Sequence, residues 1–113
     1  MSDRSQSTSF IDRAERLLSR LESALDPLAD DLDIDLQRAG NVITLSFDNG
    51  HRIIINIQEV AQEMWVAARS GGFHFRCRED DGRWYDTRSN EDFNNVLSKL
   101  IGAETEANPV LAL

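Results

Sequence analysis

The chain of 113 residues carries 20 acidic and 12 basic side chains, a net charge of -8, with 41% hydrophobic residues and a single cysteine. That length suits one domain spanning 1–113, burying roughly 60–70% of its unfolded surface, and the hydrophobic fraction excludes an acidic disordered chain. One lysine beside eleven arginines in an acidic chain excludes a binder of phosphate backbones, and no apolar run approaches the ~20 residues that cross a bilayer.

The opening MSDRSQSTSF lacks the apolar segment of a signal peptide. A cytoplasmic protein with no nucleic-acid or membrane partner is therefore expected, with residues 1–8 frayed. From Phe10, apolar residues recur at three-and-four spacing (Ile11, Ala14, Leu17, Leu18, Leu21, Ala24, Leu25, Leu28) and predict an amphipathic helix. Ser9 serves as its N-cap, and Pro27 disfavours helical geometry at Asp26, so the helix is expected to end or loosen there.

Over 33–86 the period shortens to two: Ile34 and Leu36; Ile43, Leu45 and Phe47; Ile53, Ile55 and Ile57; Phe73, Phe75 and Cys77. Such alternation predicts strands with one buried face. Asp48-Asn49-Gly50 reads as a type I′ hairpin turn, with further reversals at Ser70-Gly71-Gly72 and Asp80-Asp81-Gly82. With segments at 64–68 and 84–86, about six strands form an antiparallel meander. Ser89 and Asp92 then open a second helix carrying Phe93, Val96, Leu97, Leu100 and Ile101, closed by Gly102. Residues 103–113 form a C-terminal tail whose apolar end, 109–113, plugs the gap between the helices. The predicted fold class is α+β: a two-layer α/β sandwich with the N- and C-terminal helices packed on one sheet face and the other face open.

On a helical wheel Asp12, Glu15, Glu22 and Asp26 occupy one flank, while Arg13, Arg16 and Arg20 occupy the other. Asp30, Asp31, Asp33 and Asp35 follow, the last two alternating with Ile34 and Leu36 on the first strand. Up to residue 35 there are nine acids against four bases, so most of the excess charge sits at one edge. Such carboxylates form a solvated face, a site for a hard cation such as Ca²⁺, Mn²⁺ or iron, or a dock for a basic partner. An EF-hand is excluded because its glycine position holds Leu36 and its bidentate position Val42. On the open face of the third and fourth strands, Ile54, Asn56 and Gln58 with Trp65 resemble an interface with an aromatic anchor. His51 and His74 lack metal-ligand spacing, and Cys77 reads as a small buried thiol. No phosphate loop or nucleophile motif occurs, so the protein is not expected to be an enzyme.

The series Ile53-Ile54-Ile55-Asn56-x-Gln58-Glu59, then Trp65, then Gly71-Gly72-Phe73-His74-Phe75, preceded by Asp33-Ile34-Asp35 and Asp48-Asn49-Gly50, resembles the frataxin family in its bacterial branch. The resemblance spans nearly the whole chain. It implies a two-layer α+β sandwich and an iron-binding protein of iron–sulfur cluster assembly that regulates the cysteine desulfurase and donates iron. Its partners would be the desulfurase and the scaffold protein. It implies weak, labile iron (Fe²⁺ or Fe³⁺) on a ridge corresponding to Glu22, Asp26, Asp30, Asp31, Asp33 and Asp35, the same ridge docking the desulfurase through Asp31 and Asp33. Asn56, Gln58 and Trp65 would form the other interaction region. The chain is expected to be a monomer by default, with room for iron-dependent oligomers. The alternative is an acidic interaction module without physiological metal. A ferroxidase ranks third, because the Glu-x-x-His pairs of di-iron bundles are missing.

Overall fold

In the computed structural model, residues 9–111 are described; the frayed segment expected at 1–8 lies outside them. Helix α1 (Phe10–Leu32) is followed by six strands, β1 (Asp35–Ala39), β2 (Val42–Ser46), β3 (Arg52–Gln58), β4 (Glu63–Ala68), β5 (Gly71–Cys77) and β6 (Trp84–Asp86), then helix α2 (Phe93–Thr105). The strands pair in sequence order, each antiparallel to the next.

Helix α1 begins where Ser9 Oγ accepts the Asp12 amide. Its leucines Leu17, Leu18, Leu21 and Leu25 are buried against Ile43, Leu45, Ile53, Ile55 and Met64, each worth about 1.5–3 kcal/mol. The helix does not end near Pro27, as the sequence suggested, but continues to Leu32 with Pro27 inside it. An interior proline costs about 3 kcal/mol. Beyond it Leu28, Ala29 and Leu32 pack on the core, which holds the last turns in place. The stop comes at Asp33, whose left-handed backbone (φ 55°, ψ 47°) returns its N–H to Ala29 O. Asp33 is thus a helix cap, not a residue of the first strand.

Two edge-to-face ring contacts anchor the helices: Phe10 on Trp84 of β6, and Phe93 of α2 on Phe75 of β5, centroids 4.9 Å apart. At its other end α1 meets β1, where Arg38 reaches Ser19 and Glu22, so α1 crosses the sheet from β6 to β1.

Three further expectations change. In the β2–β3 loop only Gly50 has positive φ (88°), and Phe47 N–H bonds His51 O. The connection is a three-residue loop with glycine at its left-handed last position, not a type I′ turn. Helix α2 is capped by Asp92 and runs past Gly102 to Thr105, with Glu106 as its left-handed cap. Gly102 instead makes room for the returning tail, since a Cβ there would lie 3.0 Å from Ala107 O. Cys77 is only half-buried; burial raises its thiol pKa more than the nearby Arg13 guanidinium lowers it.

The tail folds back along α2: the Leu111 amide donates to Ser98 Oγ, Leu111 joins the core, and Val110 points outward. Leu111→Ala should lower stability by about 2–3 kcal/mol in urea denaturation, whereas Val110→Ala should leave it unchanged.

Candidate functional site

The acidic edge is built by the end of α1. Asp26, Asp30 and Asp31 stand exposed on its last turns, Asp33 caps it, and Asp35 opens β1. Negative charge at a helix C-terminus opposes the helix dipole, and Asp26 and Asp30 are like charges one turn apart. No basic residue occupies the last turn of α1. Among the described residues no arginine, lysine or histidine pairs with any of these five carboxylates. Asp35 accepts only from the Gln37 side-chain amide.

Glu22, expected on the same ridge, is set apart. Its Oε1 lies 3.2 Å from Arg38 Nη1, a partly exposed ion pair that links α1 to β1.

Asp31 and Asp33 share a cleft of about 320 Å³ with Asp48, Asn49 and Glu104, contributed by the β2–β3 loop and the end of α2. Glu104 is nearly buried: His51 Nδ1–H donates to its Oε1 at 2.8 Å, and the Asn49 amide donates at the same distance. Those two hydrogen bonds, His51 first, hold the Glu104 carboxyl below the ordinary carboxylate range. Sequence reasoning missed Glu104 because it placed that residue in the tail. Among the described residues no group of three or more His, Cys, Asp or Glu side chains converges closely enough to hold a metal ion; the ridge is a row of separate oxygen donors.

The open sheet face carries the second cluster. Register places Asn56 opposite Trp65 and Trp65 opposite His74, with Gln58 opposite Glu63 in the next row. Gln58 donates to Asn56 Oδ1 at 2.6 Å. Trp65 stacks on His74, ring centroids 4.3 Å apart and planes 9° from parallel. Beneath them Glu63, its side chain 11% exposed, accepts from Trp65 Nε1 at 2.8 Å and from Arg76 Nε at 2.9 Å, with His74 Nδ1 at 3.5 Å. Glu63 thereby fixes the orientation of three neighbours. Alternation along β5 carried the missing signal, because His74 and Arg76 have the parity opposite to Phe73, Phe75 and Cys77 and so share the open face with Trp65.

Burial pushes the Glu63 carboxyl up, but hydrogen bonds from Trp65 and Arg76, with the charges of Arg76 and His74, pull it further down, and the net result is a lowered pKa.

With the geometry in place, the comparisons assign the chain. A family model described as a frataxin-like domain matches residues 3–107, and the chain belongs to that family. It is 51% identical over 105 residues to the iron-sulfur cluster assembly protein CyaY of Ralstonia pickettii (strain 12J), covering 91% of each. It is 49% identical over 100 residues to the protein of the same name from Cupriavidus pinatubonensis (strain JMP 134 / LMG 1197), covering 87% of this chain and 88% of that one. Among solved structures, frataxin from Psychromonas ingrahamii superposes with a TM-score of 0.81 at 28% identity, covering 92% of this chain and 95% of that one. A ferrous complex of trimeric frataxin from the yeast Saccharomyces cerevisiae shares the fold, with a TM-score of 0.73 at 23% identity over 84% of this chain and 87% of that one. No helix among the described residues is long and apolar enough to cross a membrane.

A lowered folded-state pKa means that Glu63 contributes stability above its unfolded pKa and loses it as pH falls through the folded one. In urea denaturation, wild type should exceed Glu63→Gln in stability at pH 6, and the gap should close on acidification to pH 3. A gap that stays constant over that range contradicts the assignment. Glu63→Ala should also release the Trp65 indole and shift its fluorescence.

Proposed function

We propose that this chain acts in iron–sulfur cluster assembly, holding iron loosely on its acidic edge as cargo and docking the cysteine desulfurase through that edge and the adjoining open sheet face. The observation that carries this reading is the row of five exposed carboxylates, Asp26, Asp30, Asp31, Asp33 and Asp35, without a basic partner among the described residues, the first four placed where they oppose the dipole of α1. The names of the relatives, iron-sulfur cluster assembly proteins, point to the same setting.

Carboxylate oxygens suit a hard cation. Because they stand in a row without enclosing it, they would attract iron by charge, leave coordination positions open and release it readily to a partner. The same charge would steer a basic surface into contact. Asp35 lies on edge strand β1, and Trp65 on β4 is three strand spacings across and, by register, four residues along the strands, about 19 Å away. One partner footprint of about 800 Å² covers both. No feature of the site calls for bond-making chemistry, and the role proposed is carriage and regulation without enzymatic turnover.

A second reading, an acidic interaction module without physiological metal, is favoured by the lack of any converging trio of metal-binding side chains among the described residues. The two separate on one variant. Asp31→Asn/Asp33→Asn/Asp35→Asn should lower both iron affinity and capture of purified desulfurase by about tenfold or more, with wild-type capture weakening as salt rises. Lost capture with an unchanged iron titration selects the metal-free module; unchanged values for both refute the edge as the site.

A further inference from the structure

The first half of α1 holds a feature that neither ridge nor sheet face uses. Arg13, Arg16 and Arg20 line a cleft of about 470 Å³ together with Arg83 of the β5–β6 connection and the start of α2, over a floor of Leu17, Trp84 and Phe93. In a chain of net charge -8, this cleft is lined by four arginines and only two acids, Asp81 and Asp92.

Both acids are engaged within the protein. Asp92 caps α2 by accepting the Asn94 amide at 2.7 Å and takes Arg83 Nη2 at the same distance. Asp81 accepts the Arg83 amide at 2.9 Å and the Tyr85 hydroxyl at 2.6 Å. Those hydrogen bonds, from Tyr85 first, hold the Asp81 carboxyl below the ordinary range, so it stays ionised and turned to its own loop. Arg16 and Arg20 are exposed and form no ion pair among the described residues. Positions 13, 16 and 20 lie one turn apart on α1, where like charges repel. Guanidinium groups are planar forks that pair bidentately with carboxylate and phosphoryl oxygens, and the cleft has the volume of small-ligand sites, about 300–1,000 Å³.

We propose that this cleft binds a small oligo-anion carrying two or more carboxylate or phosphoryl groups, gripped by Arg16 and Arg20 with Arg13 and Arg83 completing the wall. A concave cleft with an apolar floor favours a small molecule over an acidic protein segment, which would need a longer groove. The site stands apart from the iron reading, because its arginines lie in the first half of α1 while the carboxylates gather at the end of that helix.

The test uses the full chain free of metal, labelled with ¹⁵N. Citrate and inorganic pyrophosphate serve as carboxylate and phosphoryl probes, with sodium chloride at matched ionic strength as control. The expected result is saturable shifts at the Nε–H signals of Arg13, Arg16, Arg20 and Arg83 and at the amides of 82–84 and 92–94. Arg16→Gln/Arg20→Gln should weaken the affinity about tenfold, and Arg52→Gln/Arg69→Gln should leave it unchanged. The tighter probe assigns the anion as carboxylate or phosphoryl. Shifts that chloride reproduces, that spread equally to Arg52 and Arg69, or that survive Arg16→Gln/Arg20→Gln overturn the proposal. Binding of a polyglutamate peptide with neither small probe also overturns it, in favour of a protein partner.

Discussion

Burial of the leucine stripe of α1 against the sheet keeps that helix intact through Pro27, and this continuity decides where the carboxylates stand. A helix ending at Asp26 would have spread Asp30, Asp31 and Asp33 along a loop. Because Leu28, Ala29 and Leu32 stay packed on the core, Asp30 and Asp31 remain on a helical turn and Asp33 becomes its left-handed cap. Arg38 secures the junction by bonding Ser19 and Glu22 across it. Apolar burial thus pins the acids in an arrangement that electrostatics alone opposes.

The same helix separates charge of both signs. Its acidic flank continues into the row that ends at Asp35, while its basic flank forms one wall of the arginine cleft. Acids and arginines spaced along one face would have paired and cancelled, at a gain of a few tenths of a kcal/mol per pair. Sorting them to opposite flanks forgoes that gain and leaves two fields of opposite sign on one small domain. Glu22 is the instructive exception: among the described residues it is the one member of the expected ridge with an arginine partner, Arg38.

Elements with a sustained period were legible in the sequence. The helical stripe from Phe10 to Leu28, the alternations ending in Ile57 and Cys77, and the short Trp84 strand all appear where expected, as does the meander. Boundaries that depend on tertiary packing were not legible: local preference stops α1 at Pro27, and only core contacts beyond it carry the helix to Leu32. Likewise Gly102 resembles a helix stop, yet its missing Cβ serves the tail crossing at Ala107 O. For the candidate site, Asn56 and Gln58 could be placed on one face from parity, with Trp65 as the aromatic joining them. Glu63 could not be singled out, because its importance lies in the three neighbours it bonds, and bonding across strands becomes visible only when register is known.

Glu63 also shows why the open face differs in kind from the acidic edge. At the edge the carboxylates are solvated and separate, so each can exchange partners at little cost. On the sheet a single nearly buried carboxylate satisfies an indole N–H and a guanidinium and leans on an imidazole. Removing it would take away the acceptor that aims the Trp65 indole N–H and the Arg76 guanidinium. The Trp65–His74 stack therefore reaches any partner already oriented, which lowers the entropy lost on docking. A rigid aromatic platform beside a row of loosely held charges divides the labour that a carrier needs: the platform can give a partner its register, while the charges give attraction that remains weak enough to reverse.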